Sequence, residues 1–418
     1  MWADHAIWWQ IYPLGFTGAE KDVRPAVVHR LAGLEKWLDY AIELGCSGLL
    51  LGPVFASETH GYDTVDHYRI DPRLGDDEDF DRLVAAAHAR GLRVLLDGVF
   101  NHVARSFDAP SDWFRRRPDG ALDTFEGHDQ LVLLDHSQPA VAQYVTDVLS
   151  HWLDRGVDGW RLDVAYGVPP EFWRAVLPRE RYPDAWFFGE VIHGDYAGYV
   201  AKSGLDSVTQ YELWKAIWSS LNDGNFFELS YALGRHDELL DSFVPQTFVG
   251  NHDVTRIATR LEDERHLGHA LAILFAVGGV PSIYSGDEQA FRGLKEDRAG
   301  GDDAIRPAFP DSPAELAPDG WPTYRLHQRL IGVRRRNSWL TRGRTTVEHL
   351  TNQSAALRTV GDDGSVLLLL NISDQAERFP VDASGLTVGA QPEAGVPVGD
   401  PLVVPPHSWR FLTSAGDH

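Results

Sequence analysis

The chain has 418 residues, of which 43% are hydrophobic and 24% are charged, as in a globular protein with a large core. Its 61 acidic and 38 basic side chains give a net charge of −23, which argues against nucleic acid and anionic membrane as partners because both require basic patches. The sequence has no run of roughly 20 apolar residues and no signal-peptide pattern, so we expect no membrane span and a cytoplasmic location. The single cysteine, Cys46, excludes an internal disulfide.

Strand and helix patterns alternate along the first 290 residues. Short apolar runs predict eight strands, over residues 7–14, 48–53, 92–98, 157–163, 186–191, 206–210, 245–250 and 280–284. Helical periodicity predicts helices over residues 28–44, 77–90, 140–155, 171–177 and 231–241. Three helices end before a glycine that can form a left-handed C-cap: Gly45, Gly91 and Gly156. Eight alternations with right-handed crossovers favour an α/β fold built on a closed (β/α)8 barrel.

Two aperiodic segments interrupt this alternation, at residues 103–137 after the third strand and 286–320 after the eighth. Both should lie over the carboxyl-terminal face of the barrel and shape a cleft there. From about residue 345 onward, short strand-like runs between glycine-rich turns predict a small all-β domain. We therefore assign residues 1–102 and 138–342 to the barrel, 103–137 to a short inserted domain and 343–418 to a C-terminal β domain.

Four of the predicted strands end in polar residues. The segments are LLDGVFNH (95–102), GWRLD (159–163), WFFGE (186–190) and TFVGNHD (247–253). In a parallel barrel, the carboxyl ends of all strands meet around one bowl. The side chains that this geometry brings together are Asp163, Glu190, Asp253, Arg161, His102 and His252. A cluster of carboxylates with these neighbours is typical of acid chemistry on a glycosidic bond.

Arg161 precedes Asp163 by two residues, so the strand period of two directs both side chains to the same face. A guanidinium at that place would keep the Asp163 carboxylate ionised and oriented.

The four segments resemble, in order, the four sequence signatures of the α-amylase family (glycoside hydrolase family 13). The flanking segments GYDTVDHY (61–68), LDHSQP (134–139) and GVPSIYSGDE (279–288) resemble further parts of that family. The resemblance covers roughly residues 7–290. It implies a (β/α)8 TIM barrel, a short domain B after the third strand, a C-terminal β-sandwich and a retaining glycoside hydrolase.

The resemblance also implies roles for individual residues. Asp163 matches the nucleophile, Glu190 the acid/base, and Asp253 the third carboxylate that holds sugar hydroxyls and distorts the ring. The remaining matched positions would bind substrate or support the site. They are Tyr62 (an aromatic platform), His102 and His252 (hydroxyl ligands), Arg161 (the partner of the nucleophile), Asp97 (structural support) and His60 (near the bowl).

We expect no required cofactor and no catalytic metal, because the chain has neither a His-x-His nor a His-Glu-x-x-His spacing. The family often binds a structural calcium where domain B meets the barrel, through a residue that matches Asn101. The insertion is short here, and Gly167 stands where many members have a histidine. Both features argue against that calcium.

Departures from the family pattern narrow the subtype. The segments Asp163-Val164-Ala165-Tyr166 and Glu190-Val191-Ile192-His193 are similar to the neopullulanase and cyclomaltodextrinase branch. That branch usually has Asn in place of Tyr166 and Trp in place of Ile192. Its N-terminal β domain has no counterpart ahead of the first barrel strand. Val164 also resembles members that accept α-1,6 bonds.

We therefore predict a retaining hydrolase of α-glucosidic bonds, α-1,4 and also α-1,6, in small malto-oligosaccharides or related α-glucosides. The short insertion and the long loop 286–320 favour di- to hexasaccharides over starch. Four aromatic residues are further candidates for sugar contacts: Trp113, Phe114, Trp214 and Trp218. Two alternatives stay open: a transglycosylase or isomerase on the same barrel, and a catalytically silent binding barrel. The sequence does not indicate an oligomeric state.

Overall fold

The computed structural model of the protein describes residues 2–22, 26–298, 300–392 and 399–414. Eight parallel strands form one sheet, and every one of the predicted barrel strands is confirmed. They are β1 (Trp8–Ile11), β2 (Gly48–Leu51), β3 (Arg93–Gly98), β4 (Gly159–Leu162), β5 (Trp186–Gly189), β6 (Ser207–Val208), β7 (Gln246–Thr247) and β8 (Val280–Tyr284).

The strand order in this sheet is β6-β5-β4-β3-β2-β1-β8-β7, and neighbouring strands pair in parallel. A parallel bridge between Thr209 and Gln246 joins the two edges, and the Gln210 N–H donates to the Gln246 carbonyl at 2.9 Å. These contacts close the sheet into the predicted barrel, so the carboxyl ends of all eight strands face one opening.

Twelve α-helices surround the barrel or extend from it in the described part of the chain. They are α1 (Pro13–Phe16), α2 (Leu31–Leu34), α3 (Leu38–Leu44), α4 (Asp77–Ala89), α5 (Pro139–Asp154), α6 (Pro170–Val176), α7 (Tyr196–Ser203), α8 (Tyr211–Asn222), α9 (Phe226–Leu239), α10 (Ile257–Arg260), α11 (Leu267–Ala276) and α12 (Trp321–Arg336). None of them is both long and apolar enough to cross a membrane.

The predicted helix over 28–44 was wrong as a single element, because a 3-10 turn over Glu35–Trp37 separates α2 from α3. Buried Leu31, Leu34 and Trp37 recur at intervals of three residues, which is the period of a 3-10 helix rather than of an α-helix. The three predicted glycine C-caps are confirmed, since Gly45, Gly91 and Gly156 have φ values of 101°, 77° and 100°.

The amino-terminal end of the barrel is filled with large apolar side chains. Trp8 of β1 stacks on Trp186 of β5 with ring centroids 5.8 Å apart, and both are buried. A Cβ at Gly48 would lie only 2.6 Å from the Trp8 ring, so the indole requires a glycine at the start of β2. This packing closes one end of the barrel and leaves the polar residues at the other.

Two hairpins extend the carboxyl-terminal face. Antiparallel strands Phe55–Ser57 and Thr64–Ile70 follow β2, and the turn between them carries Tyr62. Antiparallel strands His102–Ala104 and Leu131–Leu133 follow β3 and form the base of the predicted insertion. Both hairpins therefore place residues at the rim of the barrel opening.

The C-terminal part is an antiparallel all-β unit, as predicted. Its strands are β9 (Arg344–Leu350), β10 (Ser354–Gly361), β11 (Gly364–Asn371), β12 (Glu377–Arg378), β13 (Leu386–Ala390), β14 (Val403–Val404) and β15 (Ser408–Ser414). Five form a sheet in the order β9-β10-β11-β15-β13, and β12 pairs with β14. Trp409 of β15 packs closely on α11, where a Cβ at Gly268 would lie 2.8 Å from its indole nitrogen.

Candidate active site

A cavity of about 920 Å³ opens at the carboxyl ends of the barrel strands. Asp163 directly follows β4, Glu190 directly follows β5, and Asp253 lies in the loop after β7. All three carboxylates line this cavity, so the structure brings together the residues that the motifs predicted. Both aperiodic segments contribute to its walls, the first through Phe125 and the second through Arg306.

Arg161 of β4 connects the carboxylates of three adjacent strands. Its Nη1 lies 2.7 and 2.6 Å from the two oxygens of Asp97 and 3.0 Å from Oδ1 of Asp163. Its Nη2 lies 3.1 Å from Oε1 of Glu190. All four side chains are less than a tenth exposed. Buried charges require such pairing, because an uncompensated charge is strongly destabilising.

The pKa of Asp163 is raised well above its ordinary value by burial and by the negative charges of Glu190, Asp97 and Asp253. The Arg161 guanidinium opposes this shift and lowers the pKa. Arg161 therefore favours the ionised form of Asp163, which the predicted role as nucleophile requires, in surroundings that otherwise disfavour it.

The Glu190 carboxylate is held by the backbone of its neighbour as well as by side chains. The Val164 N–H donates to Oε2 of Glu190 at 3.0 Å, and the Tyr211 hydroxyl donates to Oε1 at 3.2 Å. Val164 has φ 45° and ψ 40°, a left-handed conformation that is strained for a β-branched residue. This conformation directs the peptide after Asp163 toward Glu190 and thereby links the two carboxylates.

Asp253 is paired on both oxygens. His252 Nε2 lies 2.8 Å from Oδ2, and Arg306 Nη2 lies 2.6 Å from Oδ1. Burial alone would raise the pKa of Asp253, but His252, Arg306 and Arg161 outweigh burial and hold the pKa well below its ordinary value. These partners therefore favour the ionised form of Asp253.

Tyr62 and His252 form a second layer beside these carboxylates. Their rings stack with centroids 5.3 Å apart, and the Tyr62 hydroxyl contacts His252 Nε2. The same hydroxyl donates to Oδ2 of Asp97 at 2.9 Å, and Gln10 of β1 bonds to His252 Nδ1 at 3.0 Å. Tyr62 reaches the cavity, whereas His252 and Asp97 lie behind it together with Arg161.

The other two predicted histidines line the cavity. His102 is buried, its ring stacks on Phe125 with centroids 4.6 Å apart, and its Nε2 bonds to the Tyr62 carbonyl at 3.1 Å. Burial lowers the pKa of His102 to about 4, so its imidazole is neutral. His60 is exposed at the rim, where its Nδ1 accepts the Tyr62 N–H at 3.2 Å.

Arg306 is a site residue that the motifs did not identify. Its guanidinium bonds to Asp253 and to the His252 carbonyl (2.9 Å), and it lies 4.7 Å above the centre of the Tyr12 ring. The position falls in the aperiodic loop 286–320, which was predicted to shape the cleft. The sequence predicted the role of this loop but not that of Arg306, because an aperiodic segment gives no signal for individual residues.

The four aromatic candidates from the sequence, Trp113, Phe114, Trp214 and Trp218, are not among the residues that line the cavity. They pack instead at the margins of the hydrophobic core. The aromatic side chains of the lining come from other places: Tyr12, Tyr62, Phe125, Tyr166 and Tyr211. For two of them the signal in the sequence was proximity to a barrel strand, since Tyr12 directly follows β1 and Tyr211 lies three residues after β6.

Asn101, which matches a calcium ligand of the family, bonds within the chain. The Asn101 amide bonds to His102 Nδ1 at 3.2 Å, and its oxygen would lie 3.0 Å from a Cβ at Gly167. Among the described residues, the two groups of three metal-ligating side chains include no residue of the β3 motif or of the insertion. Calcium takes six to eight oxygen ligands, which include amide and backbone carbonyl oxygens, and the absence of calcium stays a prediction.

The chain matches the α-amylase catalytic domain over residues 10–121 and 123–315. The chain belongs to the α-amylase family. It is accordingly a glycoside hydrolase, and the sequence relatives confirm the predicted branch. A cyclomaltodextrinase of Geobacillus thermopakistaniensis (strain MAS1) is 28% identical, with 92% of this chain and 72% of that protein covered. Neopullulanase 2 of Thermoactinomyces vulgaris is 31% identical, with 88% and 70% covered.

Solved structures agree in fold. The cyclic α-maltosyl-(1→6)-maltose hydrolase of Arthrobacter globiformis, in complex with its cyclic sugar, superposes with a TM-score of 0.81 at 24% identity. The match covers 99% of each chain. An α-amylase from H. orenii gives the same TM-score and identity, with 99% of this chain and 100% of that chain covered. The (β/α)8 barrel with a C-terminal β unit is therefore the architecture of this family.

Proposed function

We propose that the protein is a retaining hydrolase of α-glucosidic bonds in small malto-oligosaccharides or related α-glucosides. The observation that supports this best is the guanidinium of Arg161, which contacts Asp163 at 3.0 Å and Glu190 at 3.1 Å. Retaining glycosidases need two carboxyl groups about 5–5.5 Å apart, and two carboxylates held by one planar cation suit that spacing.

In the proposed mechanism, an Asp163 oxygen attacks C1 of the sugar while the Glu190 carboxyl gives its proton to the leaving glycosidic oxygen. The C1–O bond to the leaving group breaks, and a covalent glycosyl–Asp163 ester forms. Glu190, now a carboxylate, takes a proton from water as that water attacks C1 and releases Asp163. Each half of the reaction uses the same two side chains, so no metal or cofactor is required.

The remaining residues would bind and distort the sugar. The pKa of Asp253 is held low, and its carboxylate would accept hydrogen bonds from hydroxyl groups of the ring under attack. Tyr62 offers an aromatic face at the cavity wall, and His102 and His60 lie beside it. Arg161, Asp97 and His252 act from behind this layer, as positioning residues.

The cavity walls support a preference for short substrates. Lys21 pairs with Asp303, and Arg306 lies 3.2 Å from Asp302, so the loop 286–320 contributes ion pairs to the cavity wall. We infer that this loop limits the number of sugar units that the cavity can hold. We propose α-1,4 bonds, and α-1,6 bonds as well, because the segment after Asp163 resembles the neopullulanase branch and the chain is 31% identical to a protein named neopullulanase 2. Equal or better kcat/KM per bond on amylopectin than on maltotriose would contradict this reading.

We also propose that the chain is divided into a barrel (1–102 and 138–342), a domain B (103–137) and a C-terminal β domain (343–418). A cytoplasmic location is supported by a relative named intracellular maltogenic amylase from Bacillus subtilis, which is 30% identical over 70% of this chain.

The stereochemistry of the first product tests the mechanism. Proton NMR of maltotriose hydrolysis should show the α-anomer first, before mutarotation, and a β-anomer would contradict retention. Mass analysis with an added acceptor sugar separates hydrolysis from transfer, because both pass through the same intermediate and differ only in the attacking group. Predominant transfer would favour the transglycosylase alternative.

A further inference from the structure

Three metal-ligating side chains meet at the junction of the barrel and the C-terminal sheet, away from the active-site cavity. Asp263 and His266 lie in the turn before α11, and His407 directly precedes β15. Their ligand atoms all lie within 4.8 Å of one another. The His266 Nε2 and His407 Nδ1 atoms are 3.0 Å apart in a hydrogen bond that a metal ion would replace, and Asp263 Oδ2 is 3.9 Å from His266 Nε2. Ligand atoms around a tetrahedral zinc ion are separated by about 3.3 Å, so the spacing is close to what the ion needs.

A second carboxylate orients one of these histidines. Asp374 Oδ1 lies 2.8 Å from His407 Nε2, the nitrogen on the far side of the ring from His266. A carboxylate at that nitrogen holds the proton there and leaves Nδ1 as a lone pair. Metal-binding histidines commonly have such a carboxylate on the ring nitrogen that does not bind the metal. The side chains of His266 and His407 are only 8% and 12% exposed, so their positions are fixed by packing.

We propose that Asp263, His266 and His407 form a binding site for a divalent transition-metal ion of the zinc type. Two imidazole nitrogens and one carboxylate suit zinc, cobalt or nickel and do not suit calcium or magnesium, which prefer oxygen. The ion would join the turn before α11 to the strand β15. The site is independent of the proposed catalytic function, and its ligands do not line the active-site cavity.

Asp263 has another partner that a metal ion must compete with. Its Oδ2 pairs with the Arg265 guanidinium at 2.5 Å, while its Oδ1 accepts the Arg265 N–H at 3.0 Å. The backbone bond can persist when a metal takes Oδ2, but the guanidinium has to move. Since the Arg265 side chain is 56% exposed, it can turn into solvent.

A second group of three, His29, Asp76 and Asp79, serves as a matched control. It has one histidine, which is 61% exposed, and its two carboxylates form the reciprocal capping box of α4. Asp79 also pairs with Arg82 at 2.6 Å. These groups already have their partners and offer a single nitrogen, so we expect no zinc site there.

The test is calorimetric titration of zinc into tag-free, metal-stripped full-length protein, together with melting curves. The wild type and His29→Ala should bind one equivalent of zinc and gain at least about 3 °C in melting temperature, because a ligand of the folded state stabilises it. His266→Asn and His407→Gln should lose both effects. Asp374→Asn should keep the stoichiometry and weaken zinc affinity by about 10- to 100-fold.

Cobalt gives a second readout, because tetrahedral coordination with nitrogen ligands produces strong visible absorption that surface binding does not. Absence of stoichiometric binding in the wild type would overturn the proposal. Equal binding by His407→Gln would also overturn it, since the zinc would then be held elsewhere among the 18 histidines. If His266→Asn fails to fold, two other variants still test the zinc site. These are His407→Gln and Asp374→Asn, and the Asp374 side chain is 89% exposed.

Discussion

The two sides of the active-site cavity are built in opposite ways. One side, which we call the ionic side, consists of charged residues joined by ion pairs at the cavity wall or directly behind it: Asp97, Arg161, Asp163, Asp253 and Arg306. The other, which we call the open side, consists of lining residues that take no part in these ion pairs: Phe125, Glu126, Tyr166 and Ile192. Ile192 is 39% exposed, and the nearest ring to Tyr166 is His193 at 6.4 Å. The comparison suggests that reaction chemistry resides on the first side and substrate choice on the second.

Removal of a catalytic carboxylate should have the largest effect. Asp163→Asn and Glu190→Gln are expected to lower kcat on maltotriose by about 10⁴-fold or more, because each removes the nucleophile or the proton donor. Melting temperatures should stay close to wild type, since Asp163→Asn also removes a like charge from a crowded site. Residual activity above one hundredth of wild type in either variant would contradict the assignment.

Arg161→Met tests whether the ionic side is also a structural unit. The substitution leaves Asp97, Asp163 and Glu190 without their shared cation, and breaking a buried pair from one side costs about 3–5 kcal/mol. We expect that loss in the free energy of unfolding measured with urea, together with a loss of activity. The double variant Asp97→Asn/Arg161→Met is the control, and it should recover part of the stability.

Arg306→Gln should have an intermediate effect. A charge-assisted hydrogen bond contributes about 1.5–3 kcal/mol, so kcat/KM should fall roughly 10- to 100-fold. The loss of unfolding free energy in Arg306→Gln relative to wild type should also depend on pH, and it should shrink on acidification. Because the pKa of Asp253 is depressed in the folded protein, its contribution is present above the unfolded pKa of about 3.9 and is lost as pH falls through the folded value. A stability difference that instead grew on acidification would disprove the pairing.

Tyr166→Asn, on the open side, should have the smallest effect. An aromatic contact contributes about 0.5–1.5 kcal/mol, so we expect kcat/KM for hydrolysis of maltotriose to fall by roughly 2- to 12-fold. The yield of transfer to an added glucose acceptor should fall by a similar factor if the Tyr166 ring, which lines the cavity, contacts the acceptor. Ile192→Trp is the matched control and should raise that yield. A loss comparable with Arg306→Gln would remove the distinction between the two sides.

The same division explains what the sequence could predict. The barrel strands were predicted because buried parallel strands are continuous apolar runs, and Asp163, Glu190 and Asp253 because each follows such a run within a family motif. Arg306 was missed because it lies in an aperiodic loop, where tertiary contacts alone fix its position. The break between α2 and α3 was missed because apolar spacings of three and of three to four residues look alike over a short stretch.

The closure of the barrel has a consequence for motion. Strands β6 and β7 have two residues each and meet through the Thr209–Gln246 bridge, so local opening should begin at this seam. Tyr211 spans it, because its hydroxyl donates to Glu190 and accepts from the Asn251 amide at 2.9 Å. Each opening would therefore withdraw a hydrogen bond from Glu190. The rate of hydrogen exchange at the Gln210 amide should report this local opening. A sugar bound in the cavity should lower that exchange rate.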